Sequence, residues 1–319
     1  MIDFITNSVI FGSIMLFGCV GEIVTEKSGH LNLGIPGIMC LGLSGGCLAS
    51  KLYMMNNANP NWIILALLIV LFSVLFAVIG GGIYAFLTVT LRANQNISGL
   101  ALTTFGGGFA MFFIKQVVGV ADYSKGRTIL KHAFPFYKDL GWFGEIFLSY
   151  DFFVYVAIIL AVVAWFVLKK TKVGLNLRAI GESPATADAA GINVNAYKYG
   201  AILIGSAIAG LGGSAYTLGT AGTGVFNSTS EVLGYGWLAV ALVIFTLWKP
   251  NLAIFGSMLF GALLYMARGG ISSAGYGPYL LKILPYFITI VVLIITSIIG
   301  KKEFQPPASL GINYFREDR

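Results

Sequence analysis

Charge is scarce in this sequence. Its 319 residues carry 20 Lys and Arg against 13 Asp and Glu, 10% in all, where an ordinary soluble domain has about 25%. Hydrophobic residues make up 57%, and the mean hydropathy is +0.84. A soluble protein needs polar cover over its exterior, so this composition excludes a soluble enzyme. There are three Cys, at 19, 40 and 47, all within apolar runs. Small buried hydrophobes are the ordinary reading of such cysteines, and a disulfide scaffold is excluded. The two His, His30 and His132, lie far apart, and no H-E-x-x-H occurs. G-x-x-x-x-G-K-[ST] does not occur, so no phosphate-binding loop is present. Composition and motifs therefore point to no cofactor, no metal and no nucleic-acid partner.

What the sequence does have is long uncharged runs. Stretches 119–149, 169–198 and 301–319 hold seven charges each, and apolar spans separate the rest. Nine segments, about 7–24, 31–50, 62–91, 97–118, 150–168, 200–219, 233–248, 252–267 and 283–300, approach the roughly 17–25 residues that cross a bilayer as a helix. Alternating ten-residue strands are absent, so helices satisfy the backbone. The expectation is an all-α polytopic protein of a cell (inner or plasma) membrane, with nine to ten transmembrane helices. Residues 1–319 are read as one transmembrane domain.

Orientation is read from Lys and Arg. Loop 169–198 holds Lys169, Lys170, Lys172, Arg178 and Lys198 against Glu182 and Asp188, which places it in the cytoplasm. Alternation then puts 119–149 and 220–232 outside, and Lys27, Arg92, Lys249 and the 301–319 tail inside. Nine spans leave the N-terminus outside; a tenth crossing or re-entrant piece would bring it inside. Segment 31–50, with Gly34, Pro36, Gly37, Gly42, Gly45 and Gly46, is the candidate for a broken helix. The triplet at 80–82 is expected to split segment 62–91.

Small residues recur at four-residue spacing in 200–219: Gly205, Ala209 and Gly213, then Ser206, Gly210 and Ser214. Such stripes let helix backbones approach closely. Ionisable side chains are nearly absent from the spans, with Glu22 the deepest. Ion-coupled transporters keep such groups near the midplane. Their scarcity disfavours a secondary transporter and points to a translocator driven by another polypeptide.

Loop 169–198 reads KKTKVGLNLRAIGESPATADAAGINVNAYK. Ser183 is a good N-cap and Pro184 suits the first helical position. Two turns then run to Ala190, and Gly191 supplies the stop. Ala187 and Ala190, three apart, are expected to share a face. A helix this short is not stable alone in water, so it needs packing from elsewhere.

These residues resemble the coupling region of binding-protein-dependent ABC importer permeases of the branched-chain amino acid, ribose and nucleoside group. There the pattern is R-A-x-G-x-x-P-x-A-A-x-x-x-G-I. Here it is Arg178-Ala179-Ile180-Gly181-Glu182-Ser183-Pro184, with Ala187 and Gly191-Ile192. Gly21-Glu22, Glu26-Lys27-Ser28-Gly29, Asn32-Leu33-Gly34 and Gly37 resemble the N-terminal signature of nucleoside and simple-sugar permeases. Arg92 to Leu102, Ala207 to Leu218 and Trp237 to Pro250 are similar to their later shared stretches. Pro36 departs from the pattern, and 119–149 aligns with nothing. In length the chain is similar to the shorter permease of nucleoside importers.

The resemblance implies a type II importer fold. It also implies two cytosolic ATPases, a second permease, an extracytoplasmic substrate-binding lipoprotein and a small-molecule substrate. Arg178, Gly181, Glu182, Ser183, Pro184, Ala187, Ala190 and Gly191 would form the ATPase-coupling element. A nucleoside is the expected substrate; a simple sugar, a branched-chain amino acid or a flavin are alternatives. Polar or aromatic positions within apolar spans are the pathway candidates: Asn32, Thr103, Thr104, Phe105, Ser206, Ser214, Tyr216 and Thr217. Glu22 and Glu26 are expected to pair with Lys27 or Arg92 in a structural role.

Overall fold

The computed structural model describes residues 1–57, 59–120, 122–131, 134–270, 277–300 and 304–315. His132, part of the 301–319 tail and part of the segment joining the last two spans lie outside the described residues. The long helices are α1 (Ile2–Glu26), α2 (Ile35–Asn56), α3 (Trp62–Ala85) and α4 (Gln95–Phe112). Two short helices follow, α5 (Ser124–Leu130) and α6 (Gly141–Phe147). Then come α7 (Phe152–Lys170), α8 (Lys172–Glu182), α9 (Pro184–Ala189), α10 (Val194–Leu218), α11 (Ser230–Phe245), α12 (Pro250–Tyr265) and α13 (Gly277–Ile299). Single π-helical turns extend α3 to Thr90, α4 to Val118 and α12 to Gly270.

Among the described residues, eight helices are long and apolar enough to span a membrane. Helix α11, at 16 residues, is apolar but shorter. Each of the nine apolar segments falls on one of these helices.

Helix α10 is the axis of the bundle, and its small residues set how near its neighbours come. A Cβ on Gly21 of α1 would strike the carbonyl oxygen of Gly205, and a Cβ on Gly205 would strike that of Gly21. On the α2 side, Gly42 lies against the Gly210 backbone and Gly213 against the Met39 carbonyl. Ser214 Oγ donates to Gly42 O at 3.1 Å and shares a 2.6 Å hydrogen bond with Ser73 Oγ of α3. The four-residue stripe thus serves three neighbours. Helix α4 repeats the device against α2, where Gly37 and Gly106 meet backbone to backbone.

Two expectations are corrected. Residues 31–50 do not form a broken helix, because α2 runs unbroken from Ile35 to Asn56. Pro36 stands in the first turn, where its missing N–H costs no hydrogen bond. Its glycines are instead the contact surface for α3, α4 and α10. Nor does the triplet at 80–82 split α3, which is helical through to Ala85. Gly80 and Gly81 make room for Leu41 of α2 and Ser206 of α10.

The connections sort into two ends. At one, Lys51 Nζ donates to Val118 O, and Tyr123 N donates to Gly224 O at 2.6 Å. Arg127 donates to the carbonyls of Gly219 and Thr220, each at 3.0 Å. Asp151 caps α7 and accepts from Thr220 N and Oγ1 at 2.6 and 2.7 Å. At the other end meet the residues around Lys27, Arg92, 181–191 and 309–315. This division matches the alternation drawn from the charges.

Glu22 and Glu26 also differ from expectation. Glu22 Oε1 accepts from Asn32 N at 2.9 Å, and Glu26 Oε2 accepts from the Trp248 indole. They tie α1 to the α1–α2 loop and to the α11–α12 turn. In that turn Leu247 and Trp248 both hold positive φ, at 54° and 55°. Two adjacent left-handed non-glycine residues are strained and persist only where surroundings hold them.

Overpacking a close backbone contact is costly, about 1–3 kcal/mol or more for a large side chain. Gly205→Leu should therefore lower the unfolding temperature of the detergent-solubilised protein, whereas Gly200→Leu should not, since a Cβ at Gly200 meets nothing. Equal melting curves for the two variants would contradict the α1–α10 contact.

Candidate functional site

The 169–198 region holds two helices, α8 and α9, joined at Ser183. Thr171 caps α8, its Oγ1 accepting from Gly174 N at 3.2 Å. Ser183 caps α9, its Oγ accepting from Thr186 N at 3.3 Å, and Pro184 opens the helix. Gly191 turns the chain out at φ +81°, a conformation costly for other residues. The helix over 172–182 had no counterpart in the sequence reading. Its signal was present in Val173, Leu177 and Ile180, spaced four and three apart.

Ala187 and Ala190 do not share an environment. Ala187 is buried, 3% exposed, against Ile180 and Val194, with Ile192, Tyr197 and Tyr314 beside them. Ala190 is exposed. The outward surface of α9 is Thr186, Ala189 and Ala190, with Glu182, Arg178 and Gly191 exposed nearby. Ser183 and Pro184 are half-buried. Gly181 is buried, and a Cβ there would strike the Lys27 carbonyl.

What supports α9 from behind is the segment 304–315. Ser309 N and Oγ donate to Gly181 O at 2.9 and 2.6 Å. Gly311 N donates to Gly29 O at 3.2 Å. Asn313 Nδ2 donates to Arg92 O at 2.7 Å, and its Oδ1 accepts from Gln95 Nε2 at 3.1 Å. Tyr314 OH donates to Asp188 Oδ2 at 2.8 Å. The Arg92 guanidinium lies 4.7 Å from the Phe315 ring centroid. This strap joins α9 to the α1–α2 and α3–α4 loops. No pattern in the sequence marked it, because its bonds run mostly through backbone groups and single polar side chains.

The pathway candidates divide sharply. Asn32 is buried, its Oδ1 accepting from Gly34 N at 2.9 Å. Thr103 is buried and donates to Leu33 O at 2.7 Å. Thr104 is exposed and donates within its own helix to Leu100 O. Phe105 is exposed and stacks on Phe109. Ser206, Ser214 and Thr217 are buried, the first two at the α10 contacts above. Tyr216 is half-buried and packs beside Tyr235 and Arg268, two residues that border an open space.

That space is a cavity of 630 Å³ between α11, the end of α12 and α13, lined by Ser230, Glu231, Gly234, Tyr235, Leu238, Leu264, Arg268, Lys282 and Tyr286. It lies toward the end that holds 119–149. Arg268 pairs with Glu231. Its guanidinium stands 5.0, 5.8 and 6.0 Å from the ring centroids of Phe11, Tyr235 and Tyr216. Cation–ring attraction and the ion pair together fix its direction. Composition did not single out Arg268, since its partners come from three separate helices. Among the described residues no group of His, Cys, Asp and Glu could hold a metal ion.

A glycine-packed helical bundle, a two-helix element at one end and a polar cavity toward the other are the parts of a membrane permease. The model for the permease component of branched-chain amino acid transport systems matches residues 4–293. The chain belongs to this family. The nucleoside ABC transporter permease protein NupC of Lactococcus lactis subsp. cremoris (strain MG1363) is 29% identical over 98% of this chain and 96% of its own length. The guanosine ABC transporter permease protein NupQ of Bacillus subtilis (strain 168) is likewise 29% identical, over 98% and 96%. The putative glucose ABC transporter permease protein TsgC13 of Haloferax volcanii is 32% identical over 79% of this chain and 72% of its own. The protein is thus a multi-pass membrane permease of the ABC-transporter type.

The permease's α9 should respond unequally to bulk. An Arg at Ala187 would bury an unpaired charge among Ile180, Val194 and Tyr314, costing about 2 kcal/mol or more locally. Limited proteolysis should cut Ala187→Arg within 183–193 much faster than wild type. Ala190→Arg should match wild type. The reverse order would mean that α9 is turned the other way.

Proposed function

We propose that this chain is the permease subunit of a binding-protein-dependent importer that moves nucleosides into the cell by ATP-driven alternating access. Its partners are cytosolic ATPase subunits, a second permease and an extracytoplasmic substrate-binding lipoprotein. The observation that carries the reading is the braced α9. It is a short capped helix with a small-residue outward face, held by the strap beneath it. Such a helix transmits force, because a push on it reaches the α1–α2 and α3–α4 loops through fixed hydrogen bonds. ATP hydrolysis belongs to the separate subunits that seat on it.

Two relatives favour nucleosides. NupC and NupQ are named for nucleoside and guanosine transport, and both align along nearly their whole length. The N-terminal signature that includes Glu22, Glu26 and Asn32 resembles that of nucleoside and simple-sugar permeases alike. A second reading, a simple sugar, is favoured by the name of TsgC13. On this view 169–198 and 301–319 face the cytoplasm, and 119–149 and 220–232 face outward. The coupling element comprises Arg178, Gly181, Glu182, Ser183, Pro184, Ala187, Ala190 and Gly191. Of these, Ala190 meets the ATPase, whereas Ala187 and Gly181 hold the element's shape.

The test is uptake by the reconstituted complex, using labelled nucleosides and labelled glucose. Nucleoside accumulation dependent on ATP and on the binding protein is expected. Glucose accumulation without nucleoside uptake would favour the second reading. In the same assay Ala190→Arg should cut uptake at least tenfold and weaken ATPase co-purification. Asn195→Arg, an exposed position beyond the Gly191 turn, should be milder. Wild-type uptake by Ala190→Arg at equal expression would remove α9 from the coupling role.

A further inference from the structure

The cavity between α11 and α13 holds chemistry that coupling does not use. Arg268 and Glu231 form their ion pair on its wall, with side chains 34% and 53% exposed. A guanidinium has five N–H donors and a carboxylate two accepting oxygens, so one mutual bond leaves both able to bind a third group. The three rings around Arg268 hold the guanidinium in one direction. Beside it the Tyr235 ring lies 5.8 Å from the guanidinium and lines the cavity. Across the cavity Tyr286 of α13 offers a partly exposed ring, 39% accessible.

A fixed donor beside a fixed acceptor matches a ligand edge that carries an acceptor beside a donor. Nucleobases present such edges: a carbonyl or ring nitrogen next to an N–H. Arginine is a strong partner for the base acceptors, and a carboxylate accepts from base N–H groups. A phenol ring stacks on any base face. A sugar has hydroxyls but neither the planar face nor the rigid edge.

We propose that this cavity is a nucleoside site in which Arg268 and Glu231 read the edge of the base while Tyr286 stacks on its face. It rests on the nucleoside reading above and goes beyond it, since the permease itself then takes part in selection. Arg268 donates to the base acceptor, and Glu231 accepts the adjacent N–H.

The test uses the complete complex with its binding protein, and two pairs of labelled solutes: inosine with 1-methylinosine, and uridine with 3-methyluridine. In each methylated solute the edge N–H is replaced by N–CH3. The ratio of parent to methylated uptake is measured for wild type, Glu231→Ala and Arg268→Met. The binding protein is the same throughout, so its own preference cancels between wild type and variant. The expected result is a wild-type preference for the parent that falls about tenfold in Glu231→Ala, the factor for one lost charged hydrogen bond, while Arg268→Met lowers uptake of both parents. Wild-type nucleoside uptake with the ratio unchanged in Glu231→Ala would overturn the site and leave the importer reading intact. Absence of nucleoside uptake by wild type would overturn both. Should the variants fail to assemble, Ser230→Cys in a background lacking Cys19, Cys40 and Cys47 serves instead. Its labelling by an impermeant maleimide should slow with inosine and not with 1-methylinosine. Equal labelling with and without inosine would overturn the proposal.

Discussion

Everything in this bundle depends on how close α10 lies to α1, α2 and α3. Between apolar helices in lipid there is no hydrophobic gain from association, so packing and hydrogen bonds must hold them. Close approach multiplies both. The reciprocal contact of Gly21 and Gly205 lets the backbones themselves touch, and the Ser73–Ser214–Gly42 chain adds hydrogen bonds across three helices. The outer helices are different. In the spans of α3, α4 and α7 only 33–39% of residues are buried, and in α13 11%. The protein is therefore a rigid centre carrying exposed spans, and exposed spans are available to lipid or to another permease.

The two ends use different means of attachment. Toward 119–149 the connections are fastened by charged side chains on backbone groups, with Arg127 and Asp151 gripping opposite sides of the 219–220 turn. Toward Arg92 the connections are fastened by the strap from Ser309 to Phe315, which uses backbone groups, an amide and a phenol. The strained turn at Leu247 and Trp248 is pinned at this same end by Glu26. Paired buried carboxylates in a membrane protein invite a catalytic or ion-binding interpretation. Here their partners are an amide and an indole, which makes them fasteners.

The sequence carried the class, the spans and the position of α9, because those follow from local properties: run length, small-residue spacing, a capping Ser and a stop Gly. It misled at 31–50, where a cluster of glycines suggested a break. Glycines serve breaks and close contacts equally well, and only the neighbours α4 and α10 decide between them. It misled again at Ala187. Three-residue spacing places Ala187 and Ala190 near one another around the helix, but the inward direction is set by Tyr314, distant in sequence. Six of the eight pathway candidates turned out to be buried, bonded within the fold or both. A polar residue in an apolar span has packing and hydrogen-bonding uses that a sequence does not separate from transport. Arg268 was illegible for the opposite reason, since its meaning comes from Phe11, Tyr216, Tyr235 and Glu231 meeting around it.

The Tyr314–Asp188 bond joins residues 126 positions apart, with α10, α11, α12 and α13 lying between them in the chain. During synthesis α9 therefore emerges well before its support exists. Until Tyr314 has been made and the last spans have inserted, Ala187 and Ile180 lack one wall of their small cluster, and α9 is held by its caps and by α8. A chain arrested after α12 presents an unbraced α9. The strap thus ties the final shape of α9 to completion of the fold, a timing control that needs no separate factor.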